Sequence, residues 1–131
     1  MRLLLATADL DEIRWAAANG LLDGVLTTPA LLGAANADDE RDHIDQICHL
    51  SPTPVYVAVH AVSGDDLYRD ARELARLSDQ VIVQVPLVED AFGAMHRLHA
   101  DGVRLAAMLV FNAAQALLAA KAGASTVVTP L

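Results

Sequence analysis

Short apolar runs alternate with amphipathic segments along the whole chain, and no other feature narrows the fold so far. Six runs read as strands, at Leu3–Thr7, Gly24–Thr28, Val55–Val59, Val81–Val85, Leu105–Val110 and Thr126–Thr129. Helical periodicity fills the intervals at about 9–19, 38–49, 65–77, 88–100 and 113–122. Strand, helix, strand in regular repetition predicts a parallel sheet of βαβ units, because parallel neighbours need a crossover and a helix supplies it. The runs are apolar without a polar face, as expected of strands covered on both sides. The 54% hydrophobic content comes mainly from Ala, Leu and Val, and aromatics make up only 4%. That balance suits close helix-on-sheet packing.

The boundaries carry signals of their own. Asp9 with Glu12, Ser63 with Asp66 and Asn112 with Gln115 have capping-box spacing or a near variant, which would satisfy the free N–H groups of a first helical turn. Gly20, Gly102 and Gly123 fall just past three helices, where a positive φ is wanted. Leu67, Ala71, Leu74 and Ala75 form the apolar stripe of a helix whose other side holds the charges of Arg69–Arg76. The polar segment from Ala35 to His43 reads as a loop leading into the second helix.

The 131 residues are expected to form one domain, 1–131. The uncharged stretch Leu105–Ala120 is interrupted by Asn112 and Gln115 and is shorter than a membrane span. No membrane association is expected. Asp9, Asp11 and Glu12 follow the first apolar run at once, so no signal peptide is expected, and with one cysteine, Cys48, a cytoplasmic location follows. A net charge of −8 argues against nucleic-acid binding, which needs a basic surface to displace counterions.

Four stretches carry a resemblance. LATADLDEI at 5–13, NGLLDGVLTTPALL at 19–32, ARELARLSDQVIVQVPL at 71–87 and LVFNAAQALLAAKAGA at 109–124 are similar to the small transaldolases and fructose-6-phosphate aldolases. The resemblance implies a TIM-type (β/α)8 barrel and Schiff-base aldol chemistry in sugar-phosphate metabolism. It also implies a lysine in the fourth strand, in a segment like V-V-V-K-I-P, where this chain has VIVQVP and thus Gln84. An amide nitrogen cannot form the iminium that a lysine amine forms. Lys121, the single lysine, falls in a helix whose charged residues would point away from a barrel interior.

Other positions depart from the implied site together. Ala6 stands where a first-strand carboxylate would be, Thr28 replaces an Asn, and Ala58 occupies a Glu or Gln position. Ala106 and Met108 replace polar residues of the fifth strand, and Phe111 stands where some relatives carry a phenolic Tyr. None of the replacements titrates, so general acid–base catalysis is not expected at these positions. They read as vestigial, with the centre filled by apolar packing. The chain also reaches its last residue near the sixth strand, before an arginine loop and two βα units that the resemblance implies, so the phosphate site is expected to be missing. The fold expectation is therefore α/β: an incomplete TIM-type barrel of about six parallel strands and five intervening helices. Its edges would be covered by rearrangement, homo-oligomerisation or association with a full-length relative.

Other candidates were weighed against this. Thr28, His60 and Gln84 could instead contact a sugar phosphate at the barrel mouth, as a binder or in a residual aldol reaction without a lysine; His60 is the titratable residue expected there. His96 and His99 share a helical spacing but lack a third ligand, and His43 and His49 fall on different faces, so no metal is expected. No cofactor is expected either. Cys48 beside Ile47 and Leu50 reads as a buried small hydrophobe, and Asp65, Asp66 and Asp70 as a solvated helical turn.

Overall fold

The computed structural model describes residues 1–35 and 38–129. They form two units, one of Met1–Ala58 with Leu77–Val81 and the other of Val59–Arg76 with Ile82–Leu131. In the first, β1 (Leu4–Ala6), α1 (Leu10–Ala18), β2 (Gly24–Leu26), α2 (Pro29–Ala34), α3 (Glu40–Leu50) and β3 (Val55–Ala58) follow in order. The second holds α4 (Gly64–Ala75), most of β4 (Val81–Pro86), α5 (Ala91–Ala100), β5 (Leu105–Met108), α6 (Ala113–Lys121) and β6 (Thr126–Val128). Strand neighbours are parallel and run in chain order within each unit, β1-β2-β3 and β4-β5-β6.

All six expected strands form, most of them a residue or two shorter than the apolar runs. Five helices lie where the periodicity places them. The sixth, α2, was not expected. Its signal was present: Pro29 at the first turn costs no hydrogen bond there, and the Thr28 hydroxyl accepts from the Leu31 amide at 3.2 Å. The expected loop before the next helix is also shorter. Asp39 caps α3, so Glu40–His43 are already helical, while Asn36 and Ala37 of that segment lie outside the described residues.

None of the three capping pairs closes the reciprocal box that its spacing suggests. Asp9 accepts from the amides of Asp11 and Glu12, but the Glu12 carboxylate receives the Thr7 hydroxyl at 2.6 Å instead of returning to Asp9. Asn112 accepts from the Gln115 amide, and the Gln115 side chain reaches back one residue further, to the Phe111 amide. Ser63 makes no side-chain bond to the helix backbone; its hydroxyl turns to Asp66 at 3.4 Å. Gly20, Gly102 and Gly123 do take positive φ, at 66°, 80° and 109°.

In the first unit, Ile13 and Ala16 of α1 and Ile44, Ile47 and Cys48 of α3 are buried, and the two helices pack together. At Gly24 in the sheet an added methyl would push the Leu4 side chain aside and press on the Pro54 carbonyl. A Cβ there would lie 2.5 Å from Leu4 Cδ2 and 3.2 Å from the Pro54 carbonyl oxygen. In the second unit, Leu67, Ala71 and Leu74 of α4 and Ala91, Ala94, Met95 and Leu98 of α5 are buried. Val83, Val85, Leu105 and Ala107 are fully buried on one face of β4 and β5. Each such branched side chain removed from water contributes about 1.5–3 kcal/mol.

Candidate functional site

Strand geometry places the residues of the second unit most tightly. Side chains alternate across a strand, so residues paired in parallel register share a face. Gln84 pairs with Ala106, and Ala106 with Thr126; Pro86 pairs with Met108, and Met108 with Val128. Gln84, Ala106, Met108 and Thr126 therefore lie on the face opposite Val83 and Val85. Gln84 is 2% exposed and Ala106 is completely buried, whereas Met108 is half-buried. No buried side-chain nitrogen or oxygen among the described residues lacks a hydrogen-bond partner, the Gln84 amide included.

His60 is tied to this row through the residue before it. The Val59 amide donates to the Gln84 carbonyl at 3.1 Å, and His60 follows as an exposed residue. Its backbone N–H donates to Asp70 Oδ2 at 2.7 Å, and the Ala61 N–H reaches the same oxygen at 3.2 Å. Asp70 is thus a loop anchor, which corrects its reading as one of a solvated trio. No local pattern marks it, because the partner amides are nine and ten residues earlier. Asp65 pairs with Arg97 at 2.9 Å and Asp66 with Arg69, so these two are solvated but not unpaired. After β5, Leu109 adopts φ 63°, and Phe111 is 65% exposed.

In the first unit, Ala6 ends β1 in register with Leu26, two residues before Thr28. Ala6 is exposed and Ala58 is 4% exposed. Ala58, Gln84 and Ala106 are thus buried, whereas Ala6 and Phe111 are exposed. Thr28 spends its oxygen on the α2 cap, while the buried Thr27 donates its hydroxyl to the Tyr56 carbonyl at 2.8 Å. His43 bonds the Ala8 carbonyl through Nε2 at 2.7 Å, tying α3 to the turn before α1, and His49 bonds the Asp45 carbonyl.

The remaining candidates carry structure. Cys48 is buried, and that burial pushes its thiol up from the ordinary value; Asp45 adds to the rise and the Ser78 side chain opposes it. A raised thiol is a poor nucleophile at neutral pH. His96 and His99 are exposed on α5, and among the described residues no group of three or more His, Cys, Asp or Glu side chains is placed to hold a metal ion. No described helix is long and apolar enough to cross a membrane. Chemically, the Gln84 row can donate and accept hydrogen bonds. Its side chains hold no amine and no group that titrates near neutrality.

Comparison with known proteins bears on this arrangement. The family profile described as Transaldolase/Fructose-6-phosphate aldolase matches residues 3–130. A "Probable transaldolase" of Chlorobium phaeobacteroides is 41% identical over 97% of this chain and 60% of its own length. Those of Petrotoga mobilis and Bdellovibrio bacteriovorus are 42% and 39% identical, over 97% and 99% of the chain. The chain spans 57–60% of the length of these three relatives. A crystal structure of a provisionally assigned phosphonomutase from Burkholderia cenocepacia superposes with a TM-score of 0.74. It covers 98% of this chain and 69% of its own, at 16% identity, a likeness of fold alone. The fold is that of an incomplete TIM-type α/β barrel, with six of the eight strands of the closed form.

Proposed function

The chain belongs to the transaldolase/fructose-6-phosphate aldolase family, and we propose that it is a non-catalytic member that acts by assembly, with copies of itself or with a full-length relative. Its ancestry lies in sugar-phosphate metabolism. The observation that carries the non-catalytic half is Gln84. A Schiff-base aldolase needs a lysine amine at this place in the fourth strand, and the residue present is an amide, 2% exposed and already hydrogen-bonded. The register partner Ala106 and the neighbouring Met108 add no acid or base.

Exposed apolar surface supports the assembly half. Trp15 is 63% exposed on α1, and Leu117 and Leu118 are 73% and 53% exposed on α6. Surfaces of this kind mark association sites more often than isolated exposed residues do. A sugar-phosphate-binding role through Thr28, His60 and Gln84 finds less support, since the Thr28 oxygen caps α2 and Gln84 is closed off from solvent.

Borohydride trapping tests the chemical half. The chain is incubated with a ketose phosphate and reduced, and intact mass is measured. An unchanged mass is expected. A stable adduct on the chain would overturn the proposal.

A further inference from the structure

The chain holds three asparagines, and Asn19 alone precedes a glycine; Ala37 and Ala113 follow the other two. Gly20 has no Cβ, so its amide nitrogen is the least hindered of the three toward the side chain before it. Asn19 and Gly20 are both exposed, at the C-terminal end of α1. Asn112 differs in its duties as well as its neighbour, because its Oδ1 accepts from the Gln115 amide at 2.9 Å and caps α6.

We propose that Asn19 is a deamidation site of this chain, and that the end of α1 restrains the reaction. The Gly20 nitrogen bonds to Asn19 Cγ, the Cγ–Nδ2 bond breaks, and the proton lost from the Gly20 nitrogen passes through solvent to the departing ammonia. Water then opens the cyclic imide. Attack at Cγ leaves aspartate. Attack at the Asn19 backbone carbonyl leaves isoaspartate, with the main chain routed through Cβ and Cγ.

The folded helix end opposes ring closure in three ways. The imide closes only when the Gly20 nitrogen eclipses Asn19 Cβ, whereas ψ of 4° at Asn19 eclipses it with the Asn19 nitrogen instead. The Gly20 N–H donates to the Ala17 carbonyl at 3.2 Å and the Leu21 N–H to the Ala16 carbonyl at 3.1 Å, the paired closure of a helix ended by a glycine of positive φ. Asn19 Nδ2 donates to the Trp15 carbonyl at 2.7 Å, which draws the amide back over the helix. These bonds belong to an exposed last turn, the part of a helix that opens most readily, so its opening sets the rate. The product does not close the turn again. A carboxylate at this position cannot donate to the Trp15 carbonyl, its charge meets the negative end of α1, and the last turn of α1 holds no basic residue to offset it.

The test holds the full chain for weeks at mildly alkaline pH, both folded and in urea. Digestion and mass spectrometry follow, with isoaspartyl and aspartyl peptides separated by chromatography. The mass gain of amide-to-acid exchange is expected first in the peptide that contains Asn19, as a mixture of the two products. It should build up roughly tenfold faster in urea than in the folded chain. Gly20→Ala should slow the reaction in urea by roughly tenfold, because the methyl shields the attacking nitrogen. A Cβ at Gly20 meets nothing within 4 Å, so the folded variant can be compared too, and the urea comparison decides the chemistry if it does not fold. A gain that begins at Asn36 or Asn112, aspartate without isoaspartate, or an unchanged rate in Gly20→Ala overturns the site. Equal rates in folded and unfolded chains overturn the restraint by α1. A folded chain that never reacts, while the unfolded one does, overturns Asn19 as a site of the native protein.

Discussion

Gln84 on β4 and Ala106 on β5 are register partners, and between them they expose almost nothing to solvent. An amine introduced there gains no acid or base from Ala106 and loses most of the water that would solvate its charge. Gln84→Lys should therefore fail to restore aldol cleavage of a ketose phosphate. The buried ammonium should also lower stability by about 3 kcal/mol, partly relieved as pH rises and the lysine is neutralised. A coupled aldolase assay and urea unfolding at two pH values measure both effects. Turnover above the buffer rate would mean that an acid–base group reaches Gln84, which would sink the non-catalytic reading.

Two glycines past helix ends differ in what surrounds them. Gly102 has φ 80° and open space where a Cβ would go; Gly123 has φ 109°, and its Cβ would lie 2.5 Å and 2.6 Å from His99 Cβ and Cγ. Gly102→Ala should cost about 1 kcal/mol, from backbone strain alone. Gly123→Ala adds overpacking against atoms fixed close to the α5 backbone and should cost roughly 3 kcal/mol. Chemical denaturation of both variants checks the order. Equal losses would mean that α5 shifts freely to admit the methyl.

Much of this fold was legible in the sequence because it rests on local physics. A parallel strand covered on both faces must be a continuous apolar run, and three glycines with positive φ had to follow helices. The absence of an amine at Gln84 was equally plain, since it is a matter of residue identity. What the sequence does not reveal depends on competition or on distance. Thr28 reads as a ligand contact in the sequence, but a hydroxyl before Pro29 is captured by the helix it starts. Asp70 reaches amides of a loop ten residues back, and only the folded chain defines that neighbourhood. Ala6 and Phe111 are exposed, and that is decided by tertiary neighbours and not by residue type.

Tyr68 joins α4 to the end of α5. Its hydroxyl donates to Asp101 at 2.5 Å and accepts from Arg72 at 3.1 Å, while the Arg97 guanidinium lies 3.9 Å over its ring. The Tyr68 hydroxyl, foremost, and Asp101 hold the Arg72 guanidinium above its ordinary value. Tyr68→Phe keeps the ring and removes the hydroxyl, so the loss should be about 1 kcal/mol. Tyr68→Ala should lose roughly 3 kcal/mol, through the cation–π contact and the packing as well. Because these groups are partly exposed, salt should weaken the charged part. Thermal melts of both variants at low and high salt measure this, and a Tyr68→Phe melt indistinguishable from wild type would mean that the ring rather than the hydroxyl links the helices.

Cys48 gives the chain an alkaline limit. Its thiol is pushed up from the ordinary value of 9.0, first by burial. Below that value folded and unfolded chains both keep the proton, so the contribution of the buried neutral thiol is fully present. Above it the unfolded chain releases the proton first, and stability falls until the pH passes the raised folded value. The slope added by this one group is at most about 1.4 kcal/mol per pH unit. Urea midpoints of the wild type and of Cys48→Ala, compared at about pH 7.5 and about pH 10, isolate it from the other groups that titrate there. The wild type should lose more on the alkaline side. Iodoacetamide should label Cys48 only as fast as the chain opens, so labelling at the rate of a free thiol, or parallel pH slopes in the two proteins, would remove the buried thiol from the account of alkaline stability.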